Sequence, residues 1–107
     1  MVLVLATILY PHKVANEVAK KYIEMVKKYP ADPSLGEMLT LGTRATLEGI
    51  KVVSIGSIPK GKVEEAMSNL ATQYQEYTSI EGFKWQVEML MDMAEAYKAV
   101  GMTAPEV

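Results

Sequence analysis

The segment GFKWQVEMLMDM, from Gly82 to Met93, decides which fold the chain adopts. At the 100° per residue of an α-helix its large apolar side chains would scatter around the whole helix, whereas at the 180° of a strand they share one face. The segment is therefore predicted to be a strand with one apolar face. The side chains on that face are Phe83, Trp85, Val87, Met89, Met91 and Met93.

The composition is typical of a single globular domain. Half of the 107 residues are hydrophobic, which excludes intrinsic disorder as the main state. The net charge is −2, so the chain lacks the broad positive field that nucleic acid selects. Cysteine is absent, which excludes disulfides, thiolate catalysis and cysteine-bound metals. We expect neither a nucleic-acid partner nor a cofactor.

The apolar start of the chain is predicted to be a buried strand. Val2 to Leu9 is apolar and β-branched almost throughout, as in a central strand covered on both faces. The run is far shorter than the ~20 residues of a membrane span, and no basic segment precedes it as in a secretory signal. We therefore expect a cytoplasmic protein without a membrane partner.

The first helix is predicted directly after this strand. Lysines occupy one side of it, most of them towards the C-terminus, where cations suit the helix dipole. Two prolines between Tyr29 and Pro33 end the helix. Its apolar side repeats at every fourth residue, with Val14, Val18, Tyr22 and Val26.

A hairpin and a second helix are predicted next. Glu37 to Ala45 and Ile50 to Ile58 are two strands, and the short turn at Gly49 makes them antiparallel neighbours. The second helix has apolar residues at helical spacing. These are Val63, Ala66, Met67, Leu70, Ala71 and Tyr74.

A short final helix is predicted after the strand quoted above. Asp92 and Glu95 form a pair like a capping box, and Gly101 suits the C-terminal end of a helix. Residues 1–101 are thus predicted to form one domain, and residues 102–107 a flexible tail.

The order β-α-β-β-α-β is the split βαβ, or ferredoxin-like, arrangement of an α+β protein. It implies a strand order of 4-1-3-2 with both helices on one face of the sheet. A second sheet would bury the other face through two-fold symmetry, which predicts a homodimer; alternatively the last helix folds back over it. Strand one is apolar on both faces, with Val2, Val4, Ala6 and Ile8 on one and Leu3, Leu5, Thr7 and Leu9 on the other.

Over about residues 1 to 100 the chain resembles the dimeric α+β barrel superfamily in element order and strand apolarity. In that superfamily two ferredoxin-like sheets pack face to face into a barrel. Its members include small monooxygenases, haem-degrading enzymes and ligand-sensing domains, so the resemblance implies an architecture rather than one function. It places a ligand between the helices and the sheet or within the barrel.

Four residues are candidates for catalysis, although no catalytic motif contains them. His12, the only histidine, lies near Tyr10 and is either a haem ligand or general base, or a solvated loop residue. Arg44, the only arginine, either holds a carboxylate in bidentate fashion or forms a structural salt bridge. Glu88 either lines a wet cavity in the dimer or faces solvent along a sheet edge. A metal site of paired histidines within one chain is excluded.

Tyr22, Tyr74, Trp85 and Thr7 are candidates for lining a ligand pocket. Tyr22 and Tyr74 are predicted on the inner faces of the two helices, which favours core packing for both. The apolar face of strand four is predicted to pack under the helices, with Trp85 and Val87 largely inaccessible and its outer end reaching a partner subunit.

Three functions remain open from the sequence. The first is a small homodimer that binds a small apolar ligand in a barrel cavity. The second is a cofactor-independent monooxygenase-like or haem-binding enzyme, in which His12, Arg44, Tyr10 and Glu88 would converge on one cavity. The third is a structural subunit of a larger oligomer, with the methionines of strand four as interface.

Overall fold

The computed structural model describes residues 1–106, which form four strands and three α-helices. The strands are β1 (Val2–Tyr10), β2 (Glu37–Ala45), β3 (Ile50–Ile58) and β4 (Lys84–Leu90). The helices are α1 (Ala15–Lys28), which a 3₁₀ turn (His12–Val14) precedes, α2 (Val63–Gln75) and α3 (Met93–Ala99). The predicted order of elements is confirmed, and β2 and β3 begin and end at the predicted residues.

The strands form one antiparallel sheet in the order β2-β3-β1-β4. This is the predicted order, counted from the opposite edge, so the ferredoxin-like α+β fold is confirmed. β1 pairs with β3 along its whole length and with β4 from Leu3 to Leu9. The strand with two apolar faces therefore has a neighbour on each edge.

One face of the sheet packs against α1 and α2. On β1 this face carries Val4, Ala6 and Tyr10, all of which are buried. Two clusters of buried side chains form the core between the sheet and the helices. One cluster contains Tyr10, Val14, Val18, Met25, Tyr77 and Ile80, and the other Val4, Ile58 and Ala66.

The buried side of α1 differs from the prediction. Val18 and Met25 are buried, whereas Tyr22 and Val26 are 52% and 51% exposed. An α-helix has about 3.6 residues per turn, so each four-residue step moves about 40° around the axis. After Val14 and Val18 the next steps therefore leave the core, and Met25 returns to the line of Val14. The prediction that Tyr22 lies on the inner face was wrong.

The apolar face of β4 packs under the helices only at its inner end. Trp85 pairs with Ile8 and Val87 with Ala6, which puts both on the helix side of the sheet. They are partly buried rather than inaccessible, because β4 is an edge strand with a neighbour on one side only. Near its outer end Met89 is 61% exposed. The prediction that Met91 and Met93 continue this strand face was wrong, because β4 ends at Leu90 and Met93 begins α3 after the Asp92 cap; they are 65% and 64% exposed.

Helix α3 is capped at both ends, as predicted. The Asp92 carboxylate accepts a hydrogen bond from the Glu95 amide at 2.8 Å. At the other end Gly101 has a positive φ of 75°, and the Met102 amide donates to the Tyr97 carbonyl at 2.9 Å. Residues 102–106 have no regular structure, and Val107 of the predicted tail lies outside the described residues.

Glu76 joins the C-terminal ends of α1 and α2. Its carboxylate accepts hydrogen bonds from Lys28 Nζ at 2.8 Å and from Tyr29 Oη at 2.6 Å. These hydrogen bonds stabilise the charged form and lower the pKa of Glu76 below its ordinary value. The side chain lies directly after α2, so it holds the two helix ends together.

We expect Gly49→Ala to lower the free energy of unfolding by about 2–4 kcal/mol. Gly49 has a φ of 151° in the turn between β2 and β3, and an added Cβ would overlap the Tyr10 carbonyl oxygen. Gly42→Ala is the matched control, because no heavy atom lies within 4 Å of a Cβ there. Urea unfolding of both variants measures the difference; equal losses would contradict this account of the turn.

We expect Glu76→Gln to lower the Tm near pH 7 and to converge with the wild type in acid. A carboxyl whose pKa falls on folding stabilises the native state above its unfolded-state pKa of about 4.3. That contribution is lost as the pH falls through the lower, folded-state pKa, whereas the amide of the variant does not titrate there. Thermal unfolding across this pH range provides the measurement.

Glu81→Gln is the control for this pH dependence. Glu81 pairs with Lys13 at 3.3 Å, but both side chains are mostly exposed, so we expect no resolved change in Tm. A loss of Tm in Glu76→Gln that stays constant down to acid pH would show that the charge of Glu76 is not responsible.

Candidate functional site

The candidate site is the face of the sheet opposite α1 and α2, which we term the open face. Side chains that are cross-strand partners share a face, so the strand register arranges the open face in four rows. In order, the rows are Arg44–Lys51–Leu9–Lys84, Gly42–Val53–Thr7–Gln86, Thr40–Ile55–Leu5–Glu88 and Glu37–Ser57–Leu3–Leu90.

The centre of the open face is apolar and accessible to solvent. Leu5 and Leu9 on β1 flank Thr7, and Val53 and Ile55 on β3 lie beside them. All five side chains are partly exposed. Every second residue of a strand points to the same face, so the same alternation that buries Val4 and Ala6 brings these side chains to the surface.

Charges of opposite sign lie at the two ends of the open face. The first row, which we term the cationic row, contains Arg44, Lys51 and Lys84. Within residues 1–106 the carboxylates that pair with a cation at 4.0 Å or less all pair with lysines outside this row. Glu37 lies in the last row, and Glu88, in the third, accepts a hydrogen bond from the Gln86 amide.

A depression of about 200 Å³, which we term the notch, lies at the cationic row. Gly42 leaves it open, because an added Cβ at this residue would meet no heavy atom within 4 Å. Arg44 and Lys51 border it and Val53 contributes apolar surface. The notch therefore combines two cations with an apolar wall.

The four catalytic candidates do not converge on one cavity. Tyr10 is buried on the helix side of the sheet, where its burial raises the pKa of its hydroxyl. Arg44 and Glu88 lie on the open face, and His12 lies exposed before α1 with its Nε2 2.8 Å from the Thr46 carbonyl oxygen. The sheet itself separates Tyr10 from Arg44 and Glu88.

Arg44 and Glu88 are also distant from each other. Three strand spacings of ~4.8 Å separate them across the sheet, and four residues of ~3.4 Å separate their rows, which gives about 20 Å. A substrate atom that contacts one of them is therefore out of reach of the other.

The four pocket candidates lie in three different places. Tyr74 and Trp85 stack on each other beneath α2, with ring centroids 5.1 Å apart. Tyr22 is on the surface of α1, and Thr7 is at the centre of the open face. Core packing is the role of Tyr74, and Thr7 alone lies on the face that we consider the site.

A continuous chain of aromatic rings lies on the helix side of the sheet, and the sequence pattern did not predict it as a unit. It runs through Tyr10, Phe83, Tyr77, Tyr74 and Trp85, with neighbouring centroids 4.8–6.4 Å apart. Burial raises the pKa of Tyr77 to about 12, so this hydroxyl stays protonated at neutral pH. Only the tertiary placement of Tyr10 beside Phe83 joins the first ring to the other four.

A second, larger groove lies between α2 and the segment after α1. It has a volume of about 830 Å³, is open to solvent, and has Lys28, Asp32, Glu64 and Glu65 among its lining residues. Hydrogen bonds from Ser34 lower the pKa of Asp32, which keeps this carboxylate ionised. Among residues 1–106 no cluster of three histidines or carboxylates has the arrangement of a metal site.

None of the helices in the described part of the chain combines the length and apolarity that crossing a membrane requires.

No family model and no curated protein matches the sequence. Among solved structures the chain is similar to a de novo designed protein, Foldit4, at 15% identity with a TM-score of 0.51. The match covers 85% of this chain and 96% of the designed one. The chain is also similar to an uncharacterised NIPSNAP-like domain protein from Burkholderia xenovorans, at 17% identity, with coverage of 87% and 86% and a TM-score of 0.49. At such low sequence identity, the similarity to these structures concerns the fold alone.

We expect Tyr74→Ala to lower the free energy of unfolding by about 1–3 kcal/mol and to shift Trp85 emission to longer wavelengths. The variant removes the ring that stacks on the only tryptophan of the chain. Tyr22→Ala is the matched control, and we expect it to change the free energy by less than ~1 kcal/mol without an emission shift. Denaturant unfolding followed by fluorescence measures both effects; similar results for the two variants would refute the different packing of these tyrosines.

Proposed function

We propose that the protein is a homodimer whose two open faces pack against each other and enclose a site for a small, largely apolar molecule. Membership of the dimeric α+β barrel superfamily is part of this proposal, and so is a cytoplasmic location. The observation that supports the homodimer with a binding site is the apolar, solvent-accessible centre of the open face around Leu5, Leu9, Val53 and Ile55.

The size of the open face supports pairing with a second sheet. Four strands at ~4.8 Å and four rows at ~6.8 Å give it a footprint of roughly 500 Å². Pleated side chains present more accessible surface than this footprint, so the area approaches the ~800 Å² per partner of a typical stable interface. Two sheets packed face to face leave about 10 Å between them, which side chains or a ligand fill.

The alternative cover for this face, the C-terminal helix, lacks support. None of the residues from Met93 to Ala99 is buried in α3, and Val100 after it is 70% exposed. A helix of seven residues is also marginal in water by itself, so tertiary contacts have to stabilise it. A second chain is the better candidate for covering the open face.

Binding is favoured over catalysis by the dispersal of the candidate residues. Tyr10 is on the other side of the sheet from Arg44 and Glu88, and those two are about 20 Å apart. The open face instead presents an apolar centre with a few polar groups, of which Thr7 is the most central. This is the usual composition of a site that binds a small molecule.

A second candidate function, a subunit of a larger assembly, is favoured by apolar side chains outside the open face. Tyr22, Ile23 and Val26 on α1 are 52%, 59% and 51% exposed. Met89 near the end of β4 and Met91 just after it are exposed as well. Face-to-face pairing of two sheets would leave the α1 side chains in solvent, and a further contact between dimers would bury them.

We expect Leu5→Glu to convert the dimer to monomers while the chain stays folded. Leu5 lies at the centre of the open face and is partly exposed in one chain, so a carboxylate is tolerated there until a second sheet would bury it. Light scattering at several concentrations gives the mass, and circular dichroism checks the fold.

Ile23→Glu is the matched control, since Ile23 is 59% exposed on α1, on the other side of the molecule. We expect it to leave the dimer intact. Dissociation by Ile23→Glu but not by Leu5→Glu would contradict the proposed interface. A wild-type mass above that of a dimer, reduced to a dimer by Ile23→Glu, would support the second candidate function.

A further inference from the structure

We infer that the notch binds the carboxylate of a small amphipathic acid between Arg44 and Lys51, with the apolar body of the acid lying on Val53 and the centre of the open face. This inference rests on the proposed function and deepens it, because it names the chemical class of the ligand.

The pairing of two cations is the first argument. Arg44 and Lys51 are direct cross-strand partners on β2 and β3. Like charges directly opposite each other destabilise a sheet, so an anion bound between them would relieve the repulsion. An arginine binds a carboxylate through two parallel N–H donors, and a neighbouring lysine adds a point charge.

The carboxylates on the open face of the same chain are too far away to compensate the pair. Glu37 is in the row of Ser57, six residues along β3 from Lys51, which corresponds to about 20 Å. Glu88 is two strands and four residues away from Lys51, or about 17 Å, and accepts its hydrogen bond from Gln86. Glu48, in the turn between β2 and β3, also forms no ion pair with Arg44 or Lys51 at 4.0 Å or less. Both cations are therefore available to an anion from outside the chain.

The shape of the notch favours a small molecule over a protein side chain. Gly42 lies in the interior of β2, where glycine usually weakens a strand or permits the close approach of another group. Without a side chain at Gly42, the depression of about 200 Å³ stays open beside the two cations. This volume accommodates a carboxylate and the first carbons of its chain, in contact with Val53.

The open face extends away from the notch as an apolar surface. Val53 is followed across the sheet by Thr7 and along β3 by Ile55, with Leu5 beside it. In the proposed dimer this surface is enclosed, which strengthens the interaction between the carboxylate and the guanidinium by excluding water. A monocarboxylate with an aliphatic or aromatic body of a few carbons therefore matches both parts of the site.

Calorimetric titration with 4-phenylbutyrate and with its neutral amide, 4-phenylbutyramide, tests the inference. The two probes share the apolar body and differ in the charge. We expect the wild-type protein to bind the acid about 10- to 100-fold more tightly than the amide, which is the usual effect of hydrogen bonds to a charged group. Equal affinities, or no saturable binding of the acid, would overturn the inference.

Three variants separate the parts of the site. Arg44→Gln should remove the preference for the acid. Gly42→Val should weaken binding of both probes, because its side chain fills the notch. We expect this variant to fold, since valine is favoured in strands. Lys60→Gln is the control, because Lys60 is an exposed lysine before α2, and this variant should bind both probes like the wild type. Unchanged binding by Arg44→Gln or Gly42→Val would overturn the assignment of the carboxylate to the notch.

Light scattering on the same samples distinguishes this inference from the proposed dimer. If the wild-type protein is a monomer but binds the acid more tightly than the amide, the carboxylate site at the notch is supported and the proposed dimer is contradicted. If it is a dimer that binds the acid and the amide equally, the dimer is supported and the carboxylate site at the notch is contradicted. If Arg44→Gln dissociates the dimer and the wild type does not bind the acid, then carboxylates of the partner subunit neutralise the cations and the inference fails.

Discussion

The structure depends on strand β1, which is apolar on both faces and hydrogen-bonded on both edges. Its neighbours β3 and β4 satisfy its backbone groups, so the strand occupies the interior of the sheet. Val4 and Ala6 on one face form part of the core beneath the helices. Leu5 and Leu9 on the other face then have to meet solvent or a partner, because successive side chains of this regularly paired strand point to opposite faces.

This alternation also decides which side chains act together. Residues adjacent in sequence, such as Tyr10 and Leu9, lie on opposite faces of the sheet, whereas Arg44 and Lys51, from different strands, lie next to each other. Function on this fold therefore depends on cross-strand rows rather than on local motifs. The open face combines an apolar centre with a cationic end, and that combination is the basis for our proposal of a site for an amphipathic molecule.

The helix side of the sheet has a structural role. The aromatic chain from Tyr10 to Trp85 packs between the sheet and the helices, and Glu76 joins the ends of α1 and α2 through Lys28 and Tyr29. These contacts all lie on the helix side of the sheet, so none of them involves the open face.

The sequence by itself determined the fold class, the order of the elements and the bounds of β2 and β3, because apolar periodicity is a local property of the chain. It did not determine the inner side of α1, where a four-residue repeat drifts from the 3.6-residue turn and leaves Tyr22 exposed. Nor did it determine that Arg44 lies opposite Lys51, or that Tyr10 stacks beside Phe83. Those neighbours depend on strand register and on packing between distant segments, which only the tertiary structure decides.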